Sequence, residues 1–227
     1  MKFTLISEHG EGLGIATHLS SEGHSVTMLT ANGTKSGQGI VNRDKEIKEV
    51  GDVVIYDSNV YGRQADDVSK QGIWVLGASQ WGSLIANDME YKQNVIKAIG
   101  WDTDKVPNGI QFYTTVWFNG SNYIAGYNSI VYHRLMSGGH GPDVGGVGYI
   151  SSFAPISTRV HKELLNPLKP VLRRVNHRGC FHIRTMVTGD MFSVKDISAS
   201  IGPMALTLLE NSKLSTSEIL LRLFNET

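Results

Sequence analysis

The spacing of apolar and polar stretches over the first hundred residues predicts a parallel α/β sheet. Phe3 to Ser7 forms an apolar strand candidate, followed by a glycine-containing turn, a helix from Ile15 to Glu22 and a second strand from Ser25 to Leu29. Val53 to Tyr56 and Ile73 to Leu76 are two further strand candidates, joined by a polar helical segment. Short, continuously apolar strands are typical of a sheet that helices cover on both faces.

After residue 109 the pattern changes to one that predicts antiparallel hairpins. Residues 112–118 and 123–127 flank Asn119-Gly120, a dipeptide that favours a tight two-residue turn. Residues 180–187 and 191–197 form a second hairpin candidate. The helices expected besides the first lie at about residues 64–70, 79–86, 89–99, 158–174, 204–209 and 216–224. We expect two domains, a Rossmann-like unit over residues 1–101 and a second unit over 109–227, with the linker at 101–108.

A run of glycines stands out at Ser137 to Gly148, where six of twelve residues are glycine. Glycine destabilises a helix or strand by roughly 0.5–1 kcal/mol per position, so we expect a loop. The glycines would allow positive φ angles, or let main-chain N–H groups approach a ligand closely. A loop retained only for its backbone shape is the alternative.

Composition and charge narrow the classes of function. Apolar residues make up 41% of the chain, and Lys plus Arg equals Asp plus Glu at 21 each, so no global field favours nucleic acid or an anionic membrane. Cys180 is the one cysteine, which fits a reducing compartment. No apolar run approaches the roughly 20 residues of a membrane span, and Met1 to Ile6 is too short for a signal peptide. We expect a soluble, cytoplasmic protein with no nucleic-acid or membrane partner.

Several motifs together resemble one enzyme family. The segment Gly141-Pro-Asp-Val-Gly-Gly-Val-Gly148 resembles the Gly-Pro-Asn-Thr-Gly-Gly-Met-Gly loop of the glycinamide ribonucleotide synthetases, the phosphoribosylamine–glycine ligases of the ATP-grasp family. Residues 6–14 resemble the first strand and glycine turn of that family, and residues 116–120 and 179–202 resemble two of its C-terminal hairpins. The pieces occur in the family's order, and they are most similar to its short, divergent members from phage and metagenomic sequences.

The resemblance implies a fold, a chemistry and a set of site residues. The fold would be α/β, a Rossmann-like (pre-ATP-grasp) N-terminal domain plus the C-terminal half of an ATP-grasp domain. The ancestral chemistry would be ATP-dependent carboxylate–amine ligation through an acyl phosphate, with ATP and Mg²⁺ as cofactors. The substrate-binding positions implied are Gly10, Gly12, Gly14, Arg134, Gly141, Pro142, Asp143, Gly145 and Gly146.

The chain departs from the family where ATP and its metal would bind. Gly100 is followed almost at once by Gly109, which leaves too few residues for the subdomain that covers the nucleotide phosphates. The family's magnesium-holding Glu-Phe-Asn segment appears here as Asp196-Ile-Ser198. Magnesium prefers carboxylate, phosphate and water oxygens, so Asp196 with Ser198 is a poor set of ligands. We expect a degenerate ATP site beside a retained substrate site.

Several sites keep two interpretations at this point. The turn at residues 9–14 is either an anion site at a helix N-terminus or an ordinary strand-to-helix turn. Asp196 is either a weakened metal site or a solvated strand end. His177, Cys180 and His182 fit no standard zinc spacing, so structural roles are expected for all three.

Three hypotheses about function follow. The leading one is a ligase-like protein that binds a phosphorylated or amine-bearing metabolite between the turn at residues 10–14 and the run at 138–148. The second is an active ligase, alone or completed by a partner chain. The third is a non-catalytic protein-interaction module, or a homodimer, that uses apolar surface uncovered by the missing subdomain.

Overall fold

Two five-stranded sheets form the framework of the protein. The structure, a computed structural model, describes residues 1–30, 38–39, 41–44, 50–101, 109–152, 158–189, 191–201 and 212–225. One sheet is parallel and the other antiparallel, so the predicted α/β class is confirmed. None of the helices in these ranges is long and apolar enough to cross a membrane.

The parallel sheet has the strand order β3-β2-β1-β4-β5. Its strands are β1 (Lys2–Ser7), β2 (Ser25–Thr30), β3 (Asn42–Asp44), β4 (Val53–Tyr56) and β5 (Trp74–Leu76). Its helices are α1 (Leu13–Ser21), α2 (Gly62–Ser69), α3 (Gln80–Asn87) and α4 (Met89–Ile99). These elements confirm the sequence prediction except for β3, a polar three-residue strand with no apolar pattern to indicate it.

The antiparallel sheet has the strand order β10-β9-β6-β7-β8. Its strands are β6 (Ile110–Asn119), β7 (Tyr123–Met136), β8 (His140–Ser152), β9 (Arg178–Thr188) and β10 (Met191–Ser198). The helical segments are α5 (Thr158–Val160), a π-helical turn (His161–Leu165), α6 (Asn166–Arg174) and α7 (Thr216–Leu221). Both predicted hairpins are confirmed, and the helix expected at 204–209 lies outside the described residues.

The first hairpin turns over residues 120–122 rather than over two residues. The Asn119 side chain accepts hydrogen bonds from the amides of Ser121 (3.0 Å) and Asn122 (2.7 Å). Gly120 takes the positive φ of +92° that this bend requires. The Asn-Gly signal therefore located the turn, and the asparagine side chain stabilises a longer one.

The glycine run is a strand, and the expectation of a loop was wrong. Ser137–Gly139 forms a single 3-10 turn, and β8 begins at His140. Ile150 and Gly148 pair with Ile130 and Tyr132 of β7, so the ladder hydrogen bonds outweigh the weak strand propensity of glycine. Left-handed backbone is confined to the turn end of the run, at Gly138 and Gly141.

One apolar core is shared by the two sheets. Its buried side chains come from the parallel sheet, from α1, from the antiparallel sheet and from α7, and they include Phe3, Leu5, Leu19, Met28, Trp117, Tyr127, Cys180 and Leu220. A second cluster packs α3, α4 and α6 against the other face of the antiparallel sheet through residues such as Trp81, Ile96, Phe118, Leu168 and Phe181. The two halves therefore pack against each other through buried apolar side chains.

Candidate functional site

The strand order of the parallel sheet reverses between β1 and β4. The chain leaves β1 toward β2 on one side and leaves β4 toward β5 on the other. Ligands of open α/β sheets bind beyond the carboxyl ends of the strands at such a point. Ser7 ends β1 and Asp57 directly follows β4, so the glycine turn and Asp57 meet at this edge.

Asp57 binds the glycine turn from within the protein. Its carboxylate is 5% exposed and accepts hydrogen bonds from the amides of Gly12 (2.9 Å) and Glu8 (3.2 Å) and from the Ser7 hydroxyl. The Gly10 amide donates to the same hydroxyl at 2.7 Å. An internal carboxylate thus accepts hydrogen bonds from amides that could otherwise face a bound anion at the start of α1.

The turn glycines have distinct roles in the backbone. Gly10 has a φ of +97°, and a Cβ on Gly12 would lie 2.6 Å from Leu5 Cδ2. Gly14 lies inside α1. The first two glycines are therefore explained by the shape of the turn, and ligand contact at all three stays a prediction.

A second carboxylate lies at the same edge. Glu8 accepts a hydrogen bond from the Ser58 hydroxyl at 3.0 Å, and the exposed His9 ring is 3.7 Å from its other oxygen. Burial, Glu8 and Asp57 raise the pKa of the nearby Tyr61 hydroxyl. The edge therefore carries negative charge, which favours a cationic group over a phosphate.

Contacts between the sheets place this edge next to one face of the antiparallel sheet. The Asn59 amide donates to the carbonyl of Ala199 at 2.8 Å, just beyond β10. His182 donates through Nε2 to the neighbouring Ser200 carbonyl, also at 2.8 Å. We call the side of the sheet that carries His182 the front face; strand register places on it Gln111, Tyr113, Thr115, Ser129, Ser151, His182, Arg184, Ser193 and Asp196.

A row of polar side chains crosses all five strands of the front face. Register pairs Asp196 with Arg184, Arg184 with Tyr113, Tyr113 with Ser129, and Ser129 with Ser151. Directly opposed residues of antiparallel strands share a face and interact. The Ser129 and Ser151 hydroxyls are 2.6 Å apart in this row.

Asp196, the predicted metal ligand, is paired with two cations. Lys92 Nζ is 2.8 Å from Oδ1 and Arg184 Nη2 is 3.3 Å from Oδ2, and the Ile197 amide also donates to Oδ1 at 2.9 Å. The Ser198 hydroxyl lies 3.1 Å from that of Ser200. Two cations beside one carboxylate oppose a divalent ion, so these residues do not fit Mg²⁺. Within the described ranges, no group of three or more His, Cys, Asp or Glu side chains could hold a metal.

The histidine–cysteine cluster is held by internal hydrogen bonds. His177 bonds through Nε2 to the Cys180 carbonyl at 3.2 Å, and His182 bonds through Nδ1 to the Thr115 hydroxyl at 2.8 Å. Burial lowers the pKa of both imidazoles to about 4 and raises the pKa of the Cys180 thiol. Neutral rings and a protonated thiol are what structural roles require.

The β7–β8 hairpin carries the remaining predicted site residues. Arg134 is exposed, and its Nη1 donates to the Gly141 carbonyl at 2.9 Å. Register pairs Arg134 with Asp143, and Pro142, Gly145 and Gly146 belong to β8. Arg134 therefore fastens the tip of this hairpin. Whether the hairpin and the glycine turn line one pocket stays a prediction.

A cavity at the β5 edge of the parallel sheet is lined by other residues. It has a volume of about 340 Å³ and lies along the open edge of β5. Its walls include Asp66, Asn176, Arg178 and the stacked rings of Trp74 and Phe224, whose centroids are 4.6 Å apart. It contains none of the predicted site residues.

Sequence reasoning missed Asp57, Lys92 and Arg184. Asp57 had a usable signal, because a polar residue directly after an apolar strand lies at the same sheet edge as the glycine turn. Lys92 gave no such signal, because 104 positions separate it from Asp196. Arg184 is an ordinary polar residue of an alternating strand until β10 is paired with it.

Comparisons with known proteins identify the fold. No protein-family model and no curated protein matches the sequence. The phosphoribosylamine–glycine ligase from Thermotoga maritima is similar in structure, with a TM-score of 0.74 at 14% identity over 99% of this chain and 75% of that one. The phosphoribosylglycinamide synthetase from Anaerococcus prevotii gives 0.70 at 9% identity over 98% and 74%.

A third similar structure is the D-alanine–D-alanine ligase from Bacillus anthracis, which was solved in complex with ATP. It gives a TM-score of 0.61 at 9% identity over 99% of this chain and 96% of that one. At such low identity a structural match establishes the fold alone. The chain therefore has the fold of the ATP-grasp ligases, as its motifs predicted.

Proposed function

We propose that the protein is a phosphoribosylamine–glycine ligase-like protein with a degenerate ATP site, which binds a phosphorylated or amine-bearing metabolite. The observation that carries this proposal is the pairing of Asp196 with Lys92 and Arg184. Phosphoryl transfer relies on metal ions and positioned cations around the phosphates. Here the segment that resembles the family's metal-binding segment is occupied by an internal ion cluster.

Two features support a retained site for a metabolite. Glu8 and Asp57 give the carboxyl edge of the parallel sheet a negative charge that complements an amine. Arg134 presents an exposed guanidinium, a group suited to phosphate or carboxylate oxygens, on the hairpin that resembles the family's substrate loop.

Isothermal titration with three separate ligands tests the proposal. Phosphoribosyl metabolites, glycine and Mg·ATP would each be titrated into the purified protein. Binding of a phosphoribosyl compound or of glycine without ATP is expected. Micromolar affinity for Mg·ATP, followed by ATP turnover in the presence of an amine and a carboxylate, would instead support an active ligase, alone or with a partner chain.

Arg134→Ala tests the assigned contact residue. We expect this change to weaken metabolite binding at least tenfold, because a charge-assisted, bidentate contact is lost. The fold should survive, since the side chain is exposed. Arg222→Ala removes another exposed arginine, which pairs with Glu218, and serves as the matched control. Unchanged affinity in Arg134→Ala would remove this residue from the site.

A protein-interaction module is the second candidate function. Ile130 and Ile150 pair across β7 and β8, on the side opposite the front face, and are 42% and 75% exposed. Adjacent exposed apolar side chains on one sheet face are typical of a contact surface. Analytical ultracentrifugation tests its use in a homodimer: a dimer that Ile150→Lys dissociates would support that use, and a monomer would exclude it.

A further inference from the structure

Among the residues that the structure describes, the ion cluster on the front face has more positive than negative charge. Lys92 and Arg184 both contact Asp196, and their side chains are 12% and 31% exposed. One carboxylate balances only one of these two cations. A partly buried cation without a counter-charge is unfavourable, so the cluster is suited to a further anion.

Hydrogen-bonding atoms without partners lie beside this excess charge. Arg184 Nε, Ser193 Oγ and Gln111 Oε1 are buried atoms, and none has a hydrogen-bond partner among the residues that the structure describes. Ser193 is only 2% exposed. Gln111 and Ser193 both lie opposite Met186, one row of the front face from Arg184. A buried polar atom normally has a partner, so these atoms indicate that one is missing.

The unpartnered donors match the chemistry of an anion. The guanidinium Nε–H and the serine hydroxyl both donate, whereas the Gln111 carbonyl oxygen only accepts and is not assigned to the anion. Carboxylate and phosphate oxygens accept hydrogen bonds of this kind, and Arg binds both in a forked geometry. Lys92 adds a second positive charge on the far side of Asp196.

We propose that the front face binds a carboxylate or phosphate group at Arg184 without a divalent metal. In this site Lys92 and Arg184 supply the positive charge that Mg²⁺ would supply in the family that the chain resembles. Asp196 is then a counter-charge that lowers the affinity for anions, and it is not a metal ligand. The inference rests on the proposed function, since it specifies how a degenerate ATP site still holds an anionic ligand.

Titration of small anions in EDTA tests metal independence. Pyrophosphate and malonate would be titrated by calorimetry, because one carries phosphate oxygens and the other carboxylate oxygens. We expect at least one of them to bind in EDTA, and the tighter of the two identifies the ligand class. Binding that appears only after Mg²⁺ is added, or no binding of either probe, would overturn the inference.

Arg184→Gln removes the guanidinium and should weaken binding at least tenfold. Arg184→Lys keeps the charge without the fork, and we expect an intermediate loss. Lys195→Gln is the matched control, because this exposed lysine neighbours Asp196 on the same strand. Circular dichroism would establish that each variant is folded. Equal affinities for Arg184→Gln, Arg184→Lys and wild type would overturn the assignment.

Asp196→Asn distinguishes a counter-charge from a metal ligand, because the two roles predict opposite changes in the affinity for the anion. Loss of the counter-charge should tighten binding of the anion in EDTA by about tenfold, since a full charge is removed within a few ångströms of the site. A metal ligand would give weaker, Mg²⁺-dependent binding instead. Metabolite binding without any effect of Arg184 or Asp196 would leave the proposed function standing and overturn this inference. Binding of pyrophosphate or malonate without any metabolite binding would leave this inference standing and overturn the proposed function.

Discussion

The two sheets each place one aspartate beside a candidate site, and these aspartates have different partners. Asp57 is 5% exposed and accepts hydrogen bonds from uncharged groups at the end of β1 and in the glycine turn, the Ser7 hydroxyl and the Glu8 and Gly12 amides. The side chain of Asp196 is 34% exposed and contacts two cations, Lys92 of α4 and Arg184 of the neighbouring strand β9. The first carboxylate stabilises the glycine turn, whereas the second leaves positive charge in excess among the described residues.

Because their partners differ, the two aspartates should affect different properties of the protein, its stability in one case and its ligand affinity in the other. A buried carboxylate whose partners are main-chain amides is costly to remove, because the donors that remain are buried and unpaired. A half-exposed carboxylate between two cations is screened by water, so its removal changes the local potential more than the free energy of unfolding. We therefore expect substitutions at Asp57 to change stability and substitutions at Asp196 to change ligand affinity.

Asp57→Ala should have the largest effect on stability. Three donors lose their shared acceptor, and we expect the free energy of unfolding to fall by about 4 kcal/mol, measured by urea denaturation. Asp57→Asn keeps one acceptor oxygen and should lose about half as much. A loss below about 1 kcal/mol in Asp57→Ala would contradict the structural role of Asp57 and the proposed difference between the two aspartates.

Lowering the pH should decrease the stability of the folded protein through His182, a buried residue of the front face. Burial holds the pKa of this imidazole near 4, below its ordinary value of 6.5. As pH falls from 6.5 toward 4, the unfolded chain takes up a proton that the folded ring does not, so stability decreases in this window and is unaffected above it. The contribution lost is on the order of 3 kcal/mol.

Urea denaturation of wild type and His182→Gln at neutral and acidic pH measures this effect. The stability difference between the two proteins should shrink as the pH is lowered, because the variant lacks the titrating ring. His140→Gln, at an exposed position, is the control and should follow wild type. Parallel pH profiles for wild type and His182→Gln would show that the ring does not contribute.

Asp196→Asn should have the smallest effect on stability. Its loss leaves Lys92 and Arg184 without their shared counter-charge, but all three side chains keep some exposure to water, so we expect the free energy of unfolding to fall by only about 1–2 kcal/mol. A urea titration at neutral pH would measure the change. A loss comparable to that of Asp57→Ala would mean that the two aspartates are both structural.

The sequence was most informative where local pattern determines structure. Apolar runs such as Val53–Tyr56 located the strands of the parallel sheet, and Asn119-Gly120 located a hairpin. The same local reasoning failed at the glycine run, because the conformation of β8 depends on its pairing with β7. Intrinsic propensity is a weak guide wherever a neighbouring strand supplies the hydrogen bonds.

The candidate site was less accessible to sequence reasoning. Asp196 was identified from a motif, but its chemistry is determined by Lys92, which lies 104 positions away, and by Arg184 on the adjacent strand. Motif similarity locates a backbone segment, and the charges that surround it come from the tertiary structure. The resemblance predicted the fold, and the contacts of Asp196 then altered what that segment could bind.

The shared core limits how this chain can be recombined with others. Trp117, Tyr127 and Cys180 of the antiparallel sheet pack in the same buried cluster as Phe3 and Leu5 of the parallel sheet. A chimera that exchanged one sheet for that of a structurally similar ligase would have to reproduce these buried shapes, even if every site residue were kept. The halves that the motifs suggest are therefore not interchangeable modules, because side chains of both sheets build one buried cluster.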